Sequence, residues 1–267
     1  MKGDLHIHSS ISDCNYSIED IVKKAKENGV THISITDHDT ILGIEEALKH
    51  GKKYGVEVIP GVEISAYDYK RERKVHILGY KNLGENVKKI CEEIPKKREE
   101  LSRKYFDEIK KKGYDISWER IKKYSGKTGV FKQHIVIDLI KQGYTEKIYG
   151  ELYQKLFKEE TSIKDMEYID VYKVIKAIKQ DGGIAIMAHP SLYKNEKLIT
   201  ELICEGLDGI EIYHPKHSKR DIELLEEIAK ENNLLITGGT DFHGDIDSKY
   251  IEIGSFYCEE KSLKKIV

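Results

Sequence analysis

The residues best suited to chemistry in this chain are histidines set beside carboxylates, beginning with Asp4-Leu5-His6-Ile7-His8-Ser9. An extended strand sends alternate side chains to opposite faces, so His6 and His8 share one face while Leu5 and Ile7 pack on the other. Two imidazoles at a strand exit, followed by a polar turn through Ser9, Ser10, Ser12 and Asp13, make half of a metal site. On its own such a pair is more often an ordinary packed or surface feature. Here the pattern repeats. Of eleven histidines, seven stand at or beside the ends of apolar, strand-like runs: His6, His8, His38, His76, His189, His214 and His243. Glu63, Asp241, Asp37, Asp39 and Asp13 occupy equivalent places. Parity puts Asp241 and His243 on one face with Phe242 opposite, and it carries His38 onto the face of Ser34 and Thr36. Nitrogen and carboxylate donors together suit transition metals rather than Mg²⁺ or Ca²⁺ alone. A Glu among several histidines, as Glu63 is, can bridge two ions, and water held between them ionises near neutral pH. The sequence has no G-x-S-x-G, Walker or G-x-G-x-x-G motif, and Gly238-Gly239 reads as a tight strand exit rather than a phosphate loop.

These residues need a scaffold that brings them together, and the hydrophobic pattern supplies one. Ser17 caps an amphipathic helix with Ile18, Ile21, Val22 and Ala25 on its apolar stripe, ending at Gly29. A strand over 31–36 runs into Asp37-His38-Asp39-Thr40, a helix follows over 43–54, and a strand over 56–60 leads to Gly61-Val62-Glu63-Ile64-Ser65. Alternating strands and helices predict parallel βα units, whose sites lie at the strands' carboxyl ends. Another strand spans 74–80 after a charged, hairpin-like connection from Lys70 to Arg73. From about 85 the periods are helical only. Residues 85–169 are therefore expected to form a helical insertion or cap, with 1–84 and 170–267 making the barrel domain. The strand–helix rhythm resumes with a helix over 171–180 and strands over 184–188, 209–213 and 234–237, and it closes with a short strand over 250–253 and a terminal helix.

Composition narrows the possible partners. Among 267 residues, 45 Lys and Arg nearly balance 47 Asp and Glu, giving a net charge of −2. No global positive field recruits duplex nucleic acid or an acidic membrane. Cys14, Cys91, Cys204 and Cys258 are scattered, which argues against a disulfide framework or a thiolate zinc site. With no signal-like segment before the first strand and no apolar run of membrane-spanning length, a cytoplasmic protein is expected.

In order along the chain, D-L-H-I-H-S, I-T-D-H-D-T, I-P-G-V-E-I-S, V-H-I-L-G-Y, M-A-H-P and T-D-F-H-G resemble the motifs of the PHP (polymerase and histidinol phosphatase) family. The branch most similar carries a helical insertion after H-I-L-G-Y and includes nucleoside 3′,5′-bisphosphate phosphatases and hydrolases of 5′-phosphates and RNA ends. The resemblance implies an α/β fold, a distorted seven-stranded (β/α) barrel with two or three divalent ions (Mn, Fe or Zn). It implies that His6, His8, Glu63 and Asp241 hold one ion, that Glu63, His76 and His189 hold a second, and that Asp13, His38 and His243 hold a third. Where the family often reads S-D-G, this chain has Ser12-Asp13-Cys14.

The branch also carries an R-P-H-I-A-like segment that contacts substrate. Here that place is taken by Phe131-Lys132-Gln133-His134-Ile135-Val136, so Lys132 and His134 are the implied substrate contacts. Lysine keeps a charge for a phosphate but lacks the bidentate fork of arginine. His217 is implied as a phosphate contact or proton donor, with His214 beside it. The expected activity is metal-dependent hydrolysis of a small phosphorylated substrate, a nucleotide, with Glu63, Asp241 and His217 in the catalytic set. Histidinol phosphate is the alternative substrate, and a non-catalytic metal-holding module is the alternative role.

Overall fold

The computed structural model describes residues 1–194, 196–246 and 250–267. In chain order its strands are β1 (Gly3–Ile7), β2 (His32–Ile35), β3 (Glu57–Val58), β4 (Gly61–Asp68), β5 (Arg73–Tyr80), β6 (Ile169–Asp170), β7 (Ile184–Met187), β8 (Gly209–Tyr213) and β9 (Leu235–Gly238). They pair as a parallel sheet β1-β2-β3 and a mixed sheet β6-β4-β5-β7-β8-β9. Two isolated bridges, Ile7 to Phe242 and His38 to Glu63, join the sheets. The first seam is closed by His8 N donating to Phe242 O (2.9 Å) and Asp241 N to His6 O (2.8 Å). The second is closed by Asp39 N donating to Glu63 O (2.8 Å) and Glu63 N to Thr36 O (3.1 Å). Around this ring run β1, β2, β4, β5, β7, β8 and β9, the distorted α/β barrel that the motifs implied.

The expected run of parallel βα units fails at one strand. β5 lies antiparallel to both β4 and β7. Only residues 69–72 separate β4 from β5, and a parallel crossover needs a dozen residues or more. The expected 56–60 strand is also divided, because β3 stops before Pro60 and an eight-residue β4 takes over. Leu5 and Ile7 do not share one core. A register shift between Asp4 and Ile7 sends Leu5 to a cluster with Leu78 and Tyr80, and Ile7 to one with Ile18 and Ile21. Residues 250–253 form no strand; instead Cys258 bridges to Gly3, and Leu263 and Ile266 of the last helix pack beneath Leu5 and Tyr80.

The first helices along the chain are α1 (Ile18–Glu27), α2 (Ile44–Tyr54), α3 (Glu85–Lys111), α4 (Trp118–Lys122), α5 (Lys132–Lys141), α6 (Glu151–Gln154) and α7 (Val171–Gln180). Ser17 caps α1 as its sequence predicts, accepting from Asp20 N at 3.2 Å. The 27-residue α3 serves two cores. Val87, Ile90, Cys91 and Ile94 pack with α7 against Val75 and Ile77 of β5, whereas Leu101, Tyr105, Phe106 and Ile109 pack with Ile121, Ile135 and Leu139 of α4 and α5. Pro95 lies between these halves. After α6 a π-helical turn (Lys155–Glu159) and an irregular stretch, 161–168, lead back to β6. Among the described residues no helix is long and apolar enough to cross a membrane.

Candidate metal centre and cleft

The strand exits of β1 and β9 meet at the first group. His6 Nε2 lies 3.3 Å and His8 Nε2 3.2 Å from Glu63 Oε2, and both stand at the same distances from Asp241 Oδ1. Close packing of the two exits depends on Gly239, since a Cβ there would sit 2.5 Å from His6 N. The glycine pair is thus a tight strand exit, as its sequence suggested. Glu63 reaches on to further imidazoles. Its Oε1 is 2.8 Å from His76 Nδ1 and 3.1 Å from His189 Nε2, and its Oε2 is 3.0 Å from His38 Nδ1. His76 comes from the first half of the antiparallel β5, not from a carboxyl end. Asp13 Oδ1 stands 3.5 Å from His243 Nε2 and 3.7 Å from His8 Nδ1, with the rings of His8 and His243 stacked at 4.1 Å.

Donor atoms within 4.8 Å of one another therefore form three groups: His6, His8, Glu63 and Asp241; His38, Glu63 and His76; and His8, Asp13, His38 and His243. The first coincides with a set the motifs implied. The third gains His8. In the second, His38 stands where the motifs implied His189, which remains hydrogen-bonded to Glu63.

Whether these residues suit cations can be tested on their own hydrogen bonding. His6 Nε2, both ring nitrogens of His8, Asp13 Oδ1, His38 Nδ1, Glu63 Oε2 and His189 Nδ1 are buried and have no hydrogen-bond partner among the described residues. Each such atom costs about 1–3 kcal/mol if left unsatisfied, so a cluster of them facing one another calls for bound cations. The charges agree. Burial alone would raise the pKa of Glu63, yet His38, His76 and His6 hold it well below the usual range. Burial likewise opposes the low pKa of Asp241, which His6 and His243 enforce. His8 is pushed up to about 10, because Asp241 and Glu63 outweigh its burial. His189 is driven down to about 4 chiefly by burial, leaving a neutral ring able to ligate.

Several supports escaped the sequence. Glu211 of β8, fully buried, accepts from His6 Nδ1 at 3.0 Å and from His189 N at 3.0 Å. This bond turns His6 Nε2 toward Glu63, the usual way a neighbouring carboxylate orients a ligating imidazole. The signal was a lone carboxylate between Ile210 and Ile212 on an apolar strand. Asp37 and Asp39 stand behind the groups rather than in them. Asp37 accepts from Ser9 N (2.7 Å), Ser9 Oγ (2.6 Å) and Ser12 Oγ (2.6 Å), fixing the turn that carries Asp13. Asp39, in a left-handed conformation at φ 54°, accepts from Ser65 N at 2.7 Å and pairs with Arg98 of α3. Arg98 also stacks 4.2 Å over Phe131, at the start of α5.

Above the groups opens a cleft of about 260 Å³. It exposes Asp13, His38, Glu63, His76, Asp241 and His243, and its walls carry Lys74, Arg98, Lys132, Lys158 and Lys216. Lys132 stands in the cleft wall, 3.4 Å from Asp165 Oδ1 and 4.7 Å over the Tyr105 ring. Burial lowers its pKa to about 8, and Lys74 and Lys158 add to the effect. Two expected substrate contacts do not line the cleft. His134 is buried with Nδ1 accepting from Phe131 N at 3.0 Å, because the first turn of α5 uses the ring as its cap. His217 is buried behind His214, with Nδ1 donating to Ile212 O at 2.8 Å, because the turn after β8 folds it back on its own strand. Its neighbour Lys216 takes the cleft position, 3.5 Å from Asp241 Oδ2.

Comparison with known proteins decides the family, for residues 4–189 match the PHP domain. The chain belongs to the PHP family. It is 35% identical over 248 residues to the phosphoribosyl 1,2-cyclic phosphate 1,2-diphosphodiesterase of Eggerthella lenta, covering 91% of this chain and 95% of that one. It is 30% identical to a 5′-3′ exoribonuclease of Haemophilus influenzae over 95% of this chain and 93% of the relative. A crystal structure from Bifidobacterium adolescentis assigned to the metal-dependent phosphoesterases shares the fold with a TM-score of 0.89 at 24% identity, over 99% of this chain and 94% of that one. This PHP chain is a metal-dependent phosphoesterase.

Proposed function

We propose that the protein hydrolyses a phosphate ester on a ribose that carries a second phosphate group, as in a phosphoribosyl cyclic phosphate or a nucleoside 3′,5′-bisphosphate. One observation carries this reading: a single cleft exposes the metal-type groups and also gathers Lys74, Lys132 and Lys158. Lys74 and His76 point to the same side of β5 two residues apart, roughly 7 Å along the strand. A ribose bearing phosphates at two positions is of that length. The relative active on phosphoribosyl 1,2-cyclic phosphate supports the class, and so does the branch of bisphosphate phosphatases that the motifs resemble.

In this reading the three groups would hold two or three divalent ions (Mn, Fe or Zn), Glu63 belonging to two of the groups. Such ions supply Lewis acidity toward phosphoryl oxygens and an ionised water as nucleophile. The chain's own part is to orient that chemistry. Glu211 fixes His6, Asp37 fixes the Asp13 turn, and Lys74 and Lys132 bind the second phosphate. The 85–169 insertion acts as the cap that brings Lys132 and Arg98 over the cleft, and the free thiols of all four cysteines fit a cytoplasmic setting.

The test is phosphate release with Mn²⁺ over phosphoribosyl 1,2-cyclic phosphate, nucleoside 3′,5′-bisphosphates, 5′-phosphorylated RNA and histidinol phosphate. The ribose compounds with two phosphates should show the highest kcat/KM. A clear preference for histidinol phosphate would overturn the reading.

A further inference from the structure

Among the described residues, Asp165 is the one acid lining the cleft that stands outside the candidate metal groups. It sits within the irregular stretch 161–168. The ends of that stretch are anchored, by Thr161 Oγ1 donating to Glu108 Oε2 at 3.0 Å and by Tyr69 OH donating to Tyr168 O at 2.7 Å. Between these anchors the carboxylate reaches two lysines from different parts of the fold. Its Oδ2 lies 2.8 Å from Lys74 Nζ on β5, and its Oδ1 lies 3.4 Å from Lys132 Nζ on α5. An anionic oxygen pair spanning two ammonium groups at the wall of a phosphate-binding cleft has the shape and charge of part of a phosphate.

We propose that Asp165 is a placeholder for the substrate's second phosphate, occupying the position between Lys74 and Lys132 in the empty cleft and setting how tightly that phosphate is held. This rests on the two-phosphate reading of the cleft above. Lys74, Lys132 and Lys158 gather their charges at this wall, and Asp165 bridges two of them, an arrangement that attracts an incoming anion. A bound phosphate must push the carboxylate from its lysines and then sit near its charge. Both effects weaken binding of the second phosphate. The gain for the enzyme is turnover, because a remote group held equally tightly in substrate and product slows release without speeding chemistry.

The variant to make is Asp165→Asn, which keeps the side chain's shape and its acceptor for Met166 N, with Asp165→Glu to restore the charge. The readout is inhibition of p-nitrophenyl phosphate hydrolysis by metal-loaded protein at pH 6.5, where Lys132 is protonated. Inhibition constants are taken for adenosine 3′,5′-bisphosphate and for the tighter of adenosine 3′- and 5′-monophosphate. They can be read whether or not these compounds are turned over. Within each variant the ratio of monophosphate to bisphosphate constants reports the second phosphate alone. Asp165→Asn should raise that ratio about fivefold, the effect of one unit charge at ~4 Å in water, and Asp165→Glu should return it toward the parent value. A ratio that stays level or falls would show that Asp165 merely scaffolds the lysines, and the placeholder would be abandoned. Failure of the two-phosphate reading looks different, as no turnover of any ribose compound with two phosphates whatever the inhibition ratio does.

Discussion

The floor and the wall of the cleft are built in different ways. The floor is made of side chains from strand ends and strand interiors, most of them buried, with His6 and the Asp13 turn locked from behind by Glu211 and Asp37. The wall carries long cations from separate elements: Arg98 of α3 is buried against Asp39, Lys74 of β5 and Lys132 of α5 are half-buried and joined through Asp165, and Lys158 of the π-helical turn is exposed. A reaction centre tolerates little displacement, whereas a recognition surface can shift by fractions of an ångström and still attract an anion. Chemistry is therefore expected to fail abruptly when the floor is altered, and selectivity to fade gradually when the wall is.

The sharpest test of the contrast is Glu63→Gln. Glu63 approaches His6, His8, His38, His76 and His189, so the variant should lose bound metal and at least ~100-fold in kcat on every substrate while its circular dichroism stays that of the parent. Retained turnover would mean the carboxylate is only structural. Glu211→Gln touches the floor from behind. It should weaken metal binding by about 10–100-fold, measured by competition with a chelator, because His6 loses the group that orients it.

Changes to the wall should be smaller and selective. Lys132→Ala should lower kcat/KM for a two-phosphate ribose substrate by about tenfold more than for p-nitrophenyl phosphate, the effect of one charge-assisted hydrogen bond of ~1.5 kcal/mol. Equal losses on both would move Lys132 to the floor. The same residue sets a pH dependence. Its pKa lies at about 8, so its charge is complete below that pH and is lost as pH rises through it. KM for the two-phosphate substrate should climb between roughly pH 7.5 and 9 in the parent, and this climb should flatten in Lys132→Ala. The smallest effect belongs to His134→Ala. With the ring acting as a helix cap, stability should drop by about 1 kcal/mol in urea unfolding, and the two substrates should be affected alike. A loss confined to the two-phosphate substrate would return His134 to the cleft.

The same division explains what could be read from the sequence. His6, His8, Glu63, Asp241 and His243 were legible because strand parity is local and the polar exits of successive strands recur at one rim. The antiparallel β5 was hinted at by the short connection at 69–72, but strand direction depends on a partner that the pattern does not show. Glu211 was missed because nothing in Gly209-Ile210-Glu211-Ile212-Tyr213 says which neighbour will need its carboxylate. The wall was harder still. Lys74, Lys158 and Asp165 are ordinary residues in a chain with 45 basic and 47 acidic ones, and only tertiary approach sets them apart. His134 and His217 show the converse, histidines whose motif positions suggested contact but whose rings serve the backbone of their own turns.

The seam between the first and last barrel strands has a consequence for how the protein is made. His6 and Asp241 share a candidate ion, yet more than two hundred residues separate them along the chain. Loop closure of that length is slow, and a ribosome adds residues from the amino end, so β1 emerges long before its partner exists. Until the 235–243 segment has been synthesised and docked, His6 and His8 face no Asp241, and Gly239 cannot press against the His6 backbone. The group that contains Asp241 is thus expected to be completed late in biogenesis, when the seam closes, whereas His38, Glu63 and His76 all belong to the first third of the chain and do not wait for it.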